Sequence, residues 1–134
     1  MGVTDVVKDA EEFFKEAQIE LENGKANNDR ILIRDSAEKG WNAIVQAVNA
    51  LCEVLLGRIP KSHYDRRNAL REIEKKFPEL ESLGLYDRYA ARNKYMHGEV
   101  FYEGNIDIEL LQVELEKTRK LIDDIKHVLQ QKTS

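Results

Sequence analysis

Trp41-Asn42-Ala43-Ile44-Val45-Gln46-Ala47-Val48-Asn49-Ala50-Leu51-Cys52-Glu53-Val54-Leu55 is the stretch that decides the fold. Its apolar members Trp41, Ile44, Val45, Val48, Leu51, Cys52 and Leu55 recur three and four residues apart, the period of one helix face and not the alternation of a strand. The spacing predicts a long, central, buried helix over residues 28–56, stopped by Gly57 and kept from resuming by Pro60. Working outward, Val6, Ala10, Phe13, Phe14, Ala17 and Leu21 mark an amphipathic first helix opening at a Thr4 cap and closing near Asn23-Gly24. Ser62 and Asp65 form a capping pair for a third helix through Ala69, Leu70, Ile73 and Phe77. A fourth follows Pro78, over residues 79–96, with His97-Gly98 as its end. The last, over residues 107–131, sets Ile108, Leu111, Leu115, Thr118, Ile122, Ile125 and Leu129 in a seam suited to a neighbouring helix or a second chain. The expectation is an all-α protein: a single compact up-and-down bundle of about five helices over residues 1–134.

Composition bounds the function. The 134 residues are 42% apolar and 34% charged, right for one globular domain, and the net charge of −4 gives no whole-molecule attraction for nucleic acid or an anionic membrane. Binding to either needs a local patch. Residues 58–98 supply the only basic segment, with ten Lys and Arg against six Asp and Glu. The single cysteine excludes an internal disulfide framework and multi-cysteine zinc modules and fits a reducing compartment. The first sixteen residues lack a signal-peptide layout and their charges break up any membrane span, so a cytoplasmic protein without membrane contact is expected. Walker, Rossmann and nucleophile-elbow motifs are missing, as are the Glu-x-x-His pairs of a di-iron bundle. The reading calls for no cofactor and no metal.

Within the basic segment lies Arg92-Asn93-Lys94-Tyr95-Met96-His97-Gly98. On a helix Asn93 and His97 are one turn apart, so the amide can orient the imidazole. Arg92 and His97 stand about 140° apart around an ideal helix and converge only where the helix departs from that geometry. A guanidinium suits a phosphate, and an imidazole exchanges protons near neutral pH. Arg67, Arg71 and Lys75 form a basic row that can track phosphates, although interleaved Glu72 and Glu74 also fit an ordinary solvated face. Tyr89, Tyr95 and Tyr102 are candidate stacking platforms for bases, and Lys94 a candidate phosphate contact. Arg92 paired with Asp87, Glu99 or an acidic residue of the first helix is the structural alternative. Arg58 and His63, also five apart, are interrupted by Pro60 and are set aside.

Arg92, Asn93 and His97 resemble the Arg-polar-x-x-x-His motif of the HEPN superfamily of small helical proteins. His97-Gly98-Glu99-Val100-Phe101-Tyr102-Glu103-Gly104 and Glu38-Lys39-Gly40-Trp41-Asn42-Ala43 are similar to stretches of an archaeal HEPN-like family, PaREP. The resemblance implies a helical bundle, usually a two-fold homodimer, and in active members a metal-independent endoribonuclease serving as a toxin or defence effector. Other members are noncatalytic modules or partners of nucleotidyltransferases. Carried onto this chain, the resemblance gives Arg92 the scissile phosphate, His97 the protons and Asn93 the orientation of His97, with a second copy supplying the missing acid or base.

Overall fold

The computed structural model describes residues 7–133, and among them it is all helical. The expected Thr4 cap and Val6 contact lie outside the described residues. α1 spans Lys8–Asn27 and buries Ala10, Phe14, Ala17, Leu21 and Gly24. It does not stop at Gly24. A side-chain Cβ there would stand 2.7 Å from Ile33 Cγ1 and 3.1 Å from the Ile33 nitrogen, so this glycine lets two helices close up instead of ending one. The chain reverses one turn later at Asn28, which adopts the left-handed conformation (φ 51°, ψ 45°), one an asparagine tolerates better than most residues.

α2, Arg30–Leu56, starts from Asp29, whose Oδ1 accepts from the Ile31 and Leu32 nitrogens at 3.0 and 3.2 Å. It is buried around most of its circumference, through Ile33, Ala37, Gly40, Trp41, Ile44, Ala47, Val48, Leu51 and Cys52, and packs on α1 and three other elements. Each Leu, Ile or Val among these contributes roughly 1.5–3 kcal/mol by leaving water. Gly57 (φ 75°) ends the helix, and Ser62 caps α3 (His63–Lys76) by accepting from the Asp65 nitrogen at 3.0 Å.

The fourth expected helix is three pieces. Pro78–Leu83 forms a 3₁₀ turn, Leu85–Arg92 forms α4, and Asn93–Tyr102 continues as a π-helix. His97-Gly98 is therefore the middle of a wide helix, not its end. The i→i+5 bond from the Glu103 nitrogen to the Gly98 oxygen, 3.1 Å, is of this register. The wide turns keep Met96 and Val100 on the core. At the far end two arginines of α2 serve as the cap: Arg34 donates to the Phe101 and Tyr102 carbonyls, and Arg30 to that of Gly104 at 3.2 Å. α5, Ile108–Thr133, closes the bundle with the expected seam plus one buried charge, Glu114. No helix is long and apolar enough to cross a membrane among the described residues.

Candidate active site

Four elements meet over the indole of Trp41, which is 1% exposed. α2 brings Glu38 and Trp41, three residues apart and so on one face. The first turn of α3 brings His63 and Arg66, α4 brings Tyr89, and the π-helix brings His97, Phe101 and Tyr102. Ring centroids lie 4.9 Å apart for Trp41 and Tyr89, 5.5 Å for Trp41 and His63, and 6.1 Å for Trp41 and His97. The two imidazoles are 5.6 Å apart. Phe101 stacks near His97, and the exposed Tyr102 meets it edge-on at 4.9 Å.

His97 Nδ1 is 2.7 Å from Glu38 Oε1, and both side chains are about a quarter exposed (23% and 22%). A carboxylate on Nδ1 fixes the ring's orientation, places a proton on that nitrogen and leaves Nε2 for exchange with a ligand. On the other ring, His63 Nδ1 lies 3.1 Å from Arg66 Nη2 and 3.2 Å from the Tyr89 hydroxyl. The nearly buried Arg66 also donates to the Tyr89 hydroxyl at 2.9 Å and to Asn49 Oδ1 at 3.5 Å. Burial, then the charges of Arg66, His97 and Arg67, hold His63 below the usual histidine range. Burial raises the Tyr89 hydroxyl.

An open groove of about 480 Å³ runs beside His97, lined by Asn93, Lys94, Gly98, Glu99, Tyr102 and Glu103. A larger hollow, about 700 Å³ between α1 and α5, is lined by Phe14, Leu21, Leu115, Arg119 and their neighbours. It lies apart from both imidazoles of the cluster, and size alone gives it no chemistry. Among the described residues no group of three or more His, Cys, Asp or Glu is placed to hold a metal ion.

The expected site residues divide between this groove and other places. His97, Asn93, Lys94 and Tyr102 share the groove. Glu38, and not Asn93, meets the orienting nitrogen of His97. Arg92 is absent from the groove lining: it is 8% exposed and its Nε stands 2.5 Å from Glu114 Oε2 of α5. That contact is an ion pair without the directional geometry of a hydrogen bond. Its partner is therefore none of Asp87, Glu99 or an acidic residue of α1. The hydroxyl of Tyr95 is buried without a hydrogen-bond partner, and burial pushes it up to about 12, so its polar end faces the interior. Arg71 lies over the Tyr86 ring, 4.4 Å from its centroid, and donates to its hydroxyl at 2.8 Å. Arg67 is half-buried, close enough to act electrostatically on His63 and Tyr89.

Sequence reading missed His63, Glu38 and Arg66. His63 was set aside because Pro60 breaks any helix linking it to Arg58, yet its relevant neighbour is His97, thirty-four positions on and in another element. The available signal was the capped helix start, which places His63 on the first turn of α3.

A model of the archaeal PaREP1/PaREP8 family matches residues 5–122. No curated protein and no solved structure matches the chain.

Proposed function

The chain belongs to the archaeal PaREP1/PaREP8 family, and from that premise we propose that it is a metal-independent endoribonuclease of the HEPN type, with the Glu38–His97 pair at its centre. The observation that carries the reading is the 2.7 Å contact between a carboxylate and Nδ1 of His97, a residue that lines an open groove. In this reading His97 Nε2 takes the proton of a ribose 2′-hydroxyl, and the freed oxygen attacks the adjacent phosphorus. Glu38 holds Nδ1–H and stabilises the imidazolium that forms. The 5′-oxygen leaves, taking a proton from solvent water to become a 5′-hydroxyl, and a 2′,3′-cyclic phosphate remains. In the same reading Lys94 and Asn93, which line the groove, contact the phosphate and sugar, and Tyr102, also in the lining, stacks on an unpaired base. Arg92 supports the site from behind by fixing the start of the π-helix to α5.

RNA incubated with purified protein in EDTA is the test. Cyclic-phosphate ends should form, and His97→Ala should reduce their rate by about 10²–10⁴, the usual worth of a proton-transfer group. Cleavage that persists in folded His97→Ala, or that requires magnesium, overturns the proposal.

A second reading has its own supporting observation. Arg92 is committed to Glu114, and Glu99 and Glu103 add negative charge to the groove, which favours a noncatalytic module holding a nucleotide, an RNA or a nucleotidyltransferase-type partner. Binding without product in the same assay selects it. A homodimer would set two grooves against one strand, and light scattering at micromolar concentration tests for it.

A further inference from the structure

We infer that His63 is a neutral imidazole donating its Nε2–H to a phosphoryl oxygen, so that His63 and His97 together hold one phosphoryl group within a single chain. The inference rests on the reading of the groove given above and adds a second residue, in contact with substrate, that neither the motif nor the family match assigns.

Arg66 sets the argument. A guanidinium only donates hydrogen bonds, so the 3.1 Å approach of Arg66 Nη2 to His63 Nδ1 requires a lone pair on that nitrogen. The Tyr89 hydroxyl, which already accepts from Arg66 Nε at 2.9 Å, has its own hydrogen to give to the same lone pair at 3.2 Å. A proton on Nδ1 could still be given to the Tyr89 hydroxyl oxygen but would turn a donor toward Arg66 Nη2, and on a doubly protonated ring would set two cations side by side. The single proton of His63 therefore sits on Nε2, the opposite edge of a ring that is only partly buried. The groups that act on the ring are Arg66, Arg67, Tyr89 and His97, while the carboxylate of Glu38 is taken by His97. This surrounding favours the neutral ring and gives this end of the site the positive potential that the Glu99 and Glu103 end lacks.

His63 is not part of the groove's lining, but at 5.6 Å between centroids the two rings are close enough for one phosphoryl group to bridge them, each through an N–H···O or N···H–O contact of about 2.8–3.0 Å. Their tasks differ. His97 takes the O2′ proton on Nε2 as the O2′–P bond forms; O5′, leaving from the opposite side of phosphorus, takes its proton from solvent water as the P–O5′ bond breaks, and His97 returns its own proton to the solvent. His63 does not titrate in the cycle. It stabilises charge on a non-bridging oxygen.

The test begins on the unaltered full chain. Nitrogen-15 imidazole NMR at neutral pH should show His63 as the Nε2–H tautomer, and titrated inorganic phosphate should shift the resonances of both His63 and His97. His63→Gln, which keeps an N–H donor, should retain phosphate affinity and kcat within about threefold, whereas His63→Ala should lose about tenfold in each, the worth of a hydrogen bond to a charged group. Neither variant should change the shape of the pH profile of kcat. A doubly protonated or Nδ1–H His63, phosphate shifts confined to His97, or loss of one limb of the pH profile in His63→Ala overturns the inference. The two proposals fail separately. Phosphate shifts at both rings in a protein that cleaves no RNA leave the anion site standing and remove the ribonuclease. Cleavage that depends on His97 but is indifferent to His63→Ala does the reverse.

Discussion

Replacing Arg92 by Met separates a strut from a catalytic group. Arg92 and Glu114 side chains are only 10% and 8% exposed and 2.5 Å apart, so removing the guanidinium leaves a carboxylate buried without its main counter-charge. Breaking one side of such a pair costs about 3–5 kcal/mol. Lys117 Nζ, 3.8 Å from Glu114 Oε1 but half exposed, offsets a little of this, which points to the lower end, about 3 kcal/mol. Against a total stability of roughly 5–15 kcal/mol this is a large fraction, equivalent to a fall in Tm on the order of 10 °C. The double variant Arg92→Met with Glu114→Leu should recover most of the loss, because two apolar side chains of similar volume leave no stranded charge. Urea and thermal melts at neutral pH measure all four corners of the cycle, and RNA cleavage is read at a temperature where each variant is folded. The double variant should retain activity. Wild-type stability in Arg92→Met together with lost cleavage would refute the strut and return the guanidinium to the substrate.

Other consequences are independent of the site. Arg119 grips Glu11 with both carboxylate oxygens at 2.8 Å, and its hydrogen bonds hold the Glu11 carboxyl below its ordinary 4.5. A depressed carboxyl stabilises the fold above the unfolded value and loses that contribution as pH falls through the folded one. Arg119→Met should therefore flatten the decline in stability below about pH 4.5 and cost about 1 kcal/mol at neutral pH, in a urea titration repeated across pH, since the pair is a third exposed. Gly24→Ala should destabilise by about 1–3 kcal/mol because the new Cβ meets the Ile33 and Asp29 backbone. Gly40→Ala should cost less, as its nearest neighbours, Leu115 Cδ2 at 2.8 Å and Met96 Sδ at 3.3 Å, belong to side chains that can turn away; denaturant midpoints decide the order. Cys52 is fully buried and its thiol pushed up to about 11, so a thiol reagent at neutral pH should label it only at the rate of unfolding.

The elements were legible wherever a local rule governs them. The Trp41–Leu55 stripe, the Ser62–Asp65 cap and the α5 seam are short-range patterns with one physical reading, and each is found in place. Two glycines misled the reading for a shared reason. Gly24 resembles a C-cap and Gly98 a helix end, but Gly24 is kept for the close approach of Ile33, and Gly98 sits in a π-helix whose terminal carbonyls are capped by Arg34 and Arg30 from sixty or more positions away. The site follows the same division. His97, Asn93, Lys94 and Tyr102 lie close together in sequence and share a groove. Glu38, His63 and Arg66 come from other helices, and packing alone brings them to His97. Arg92 shows the limit of spacing: the residue beside the motif polar group is turned to α5 by a carboxylate that lies in a hydrophobic seam and carries no local signal.

The most direct test of the central claim is the kcat of Glu38→Gln for RNA cleavage in EDTA, measured beside that of the unaltered protein. If the carboxylate on Nδ1 makes His97 the proton carrier, kcat falls by about 10² or more with KM nearly unchanged, since the amide neither stabilises the imidazolium nor secures the tautomer. An unchanged kcat in a folded Glu38→Gln protein would contradict the account.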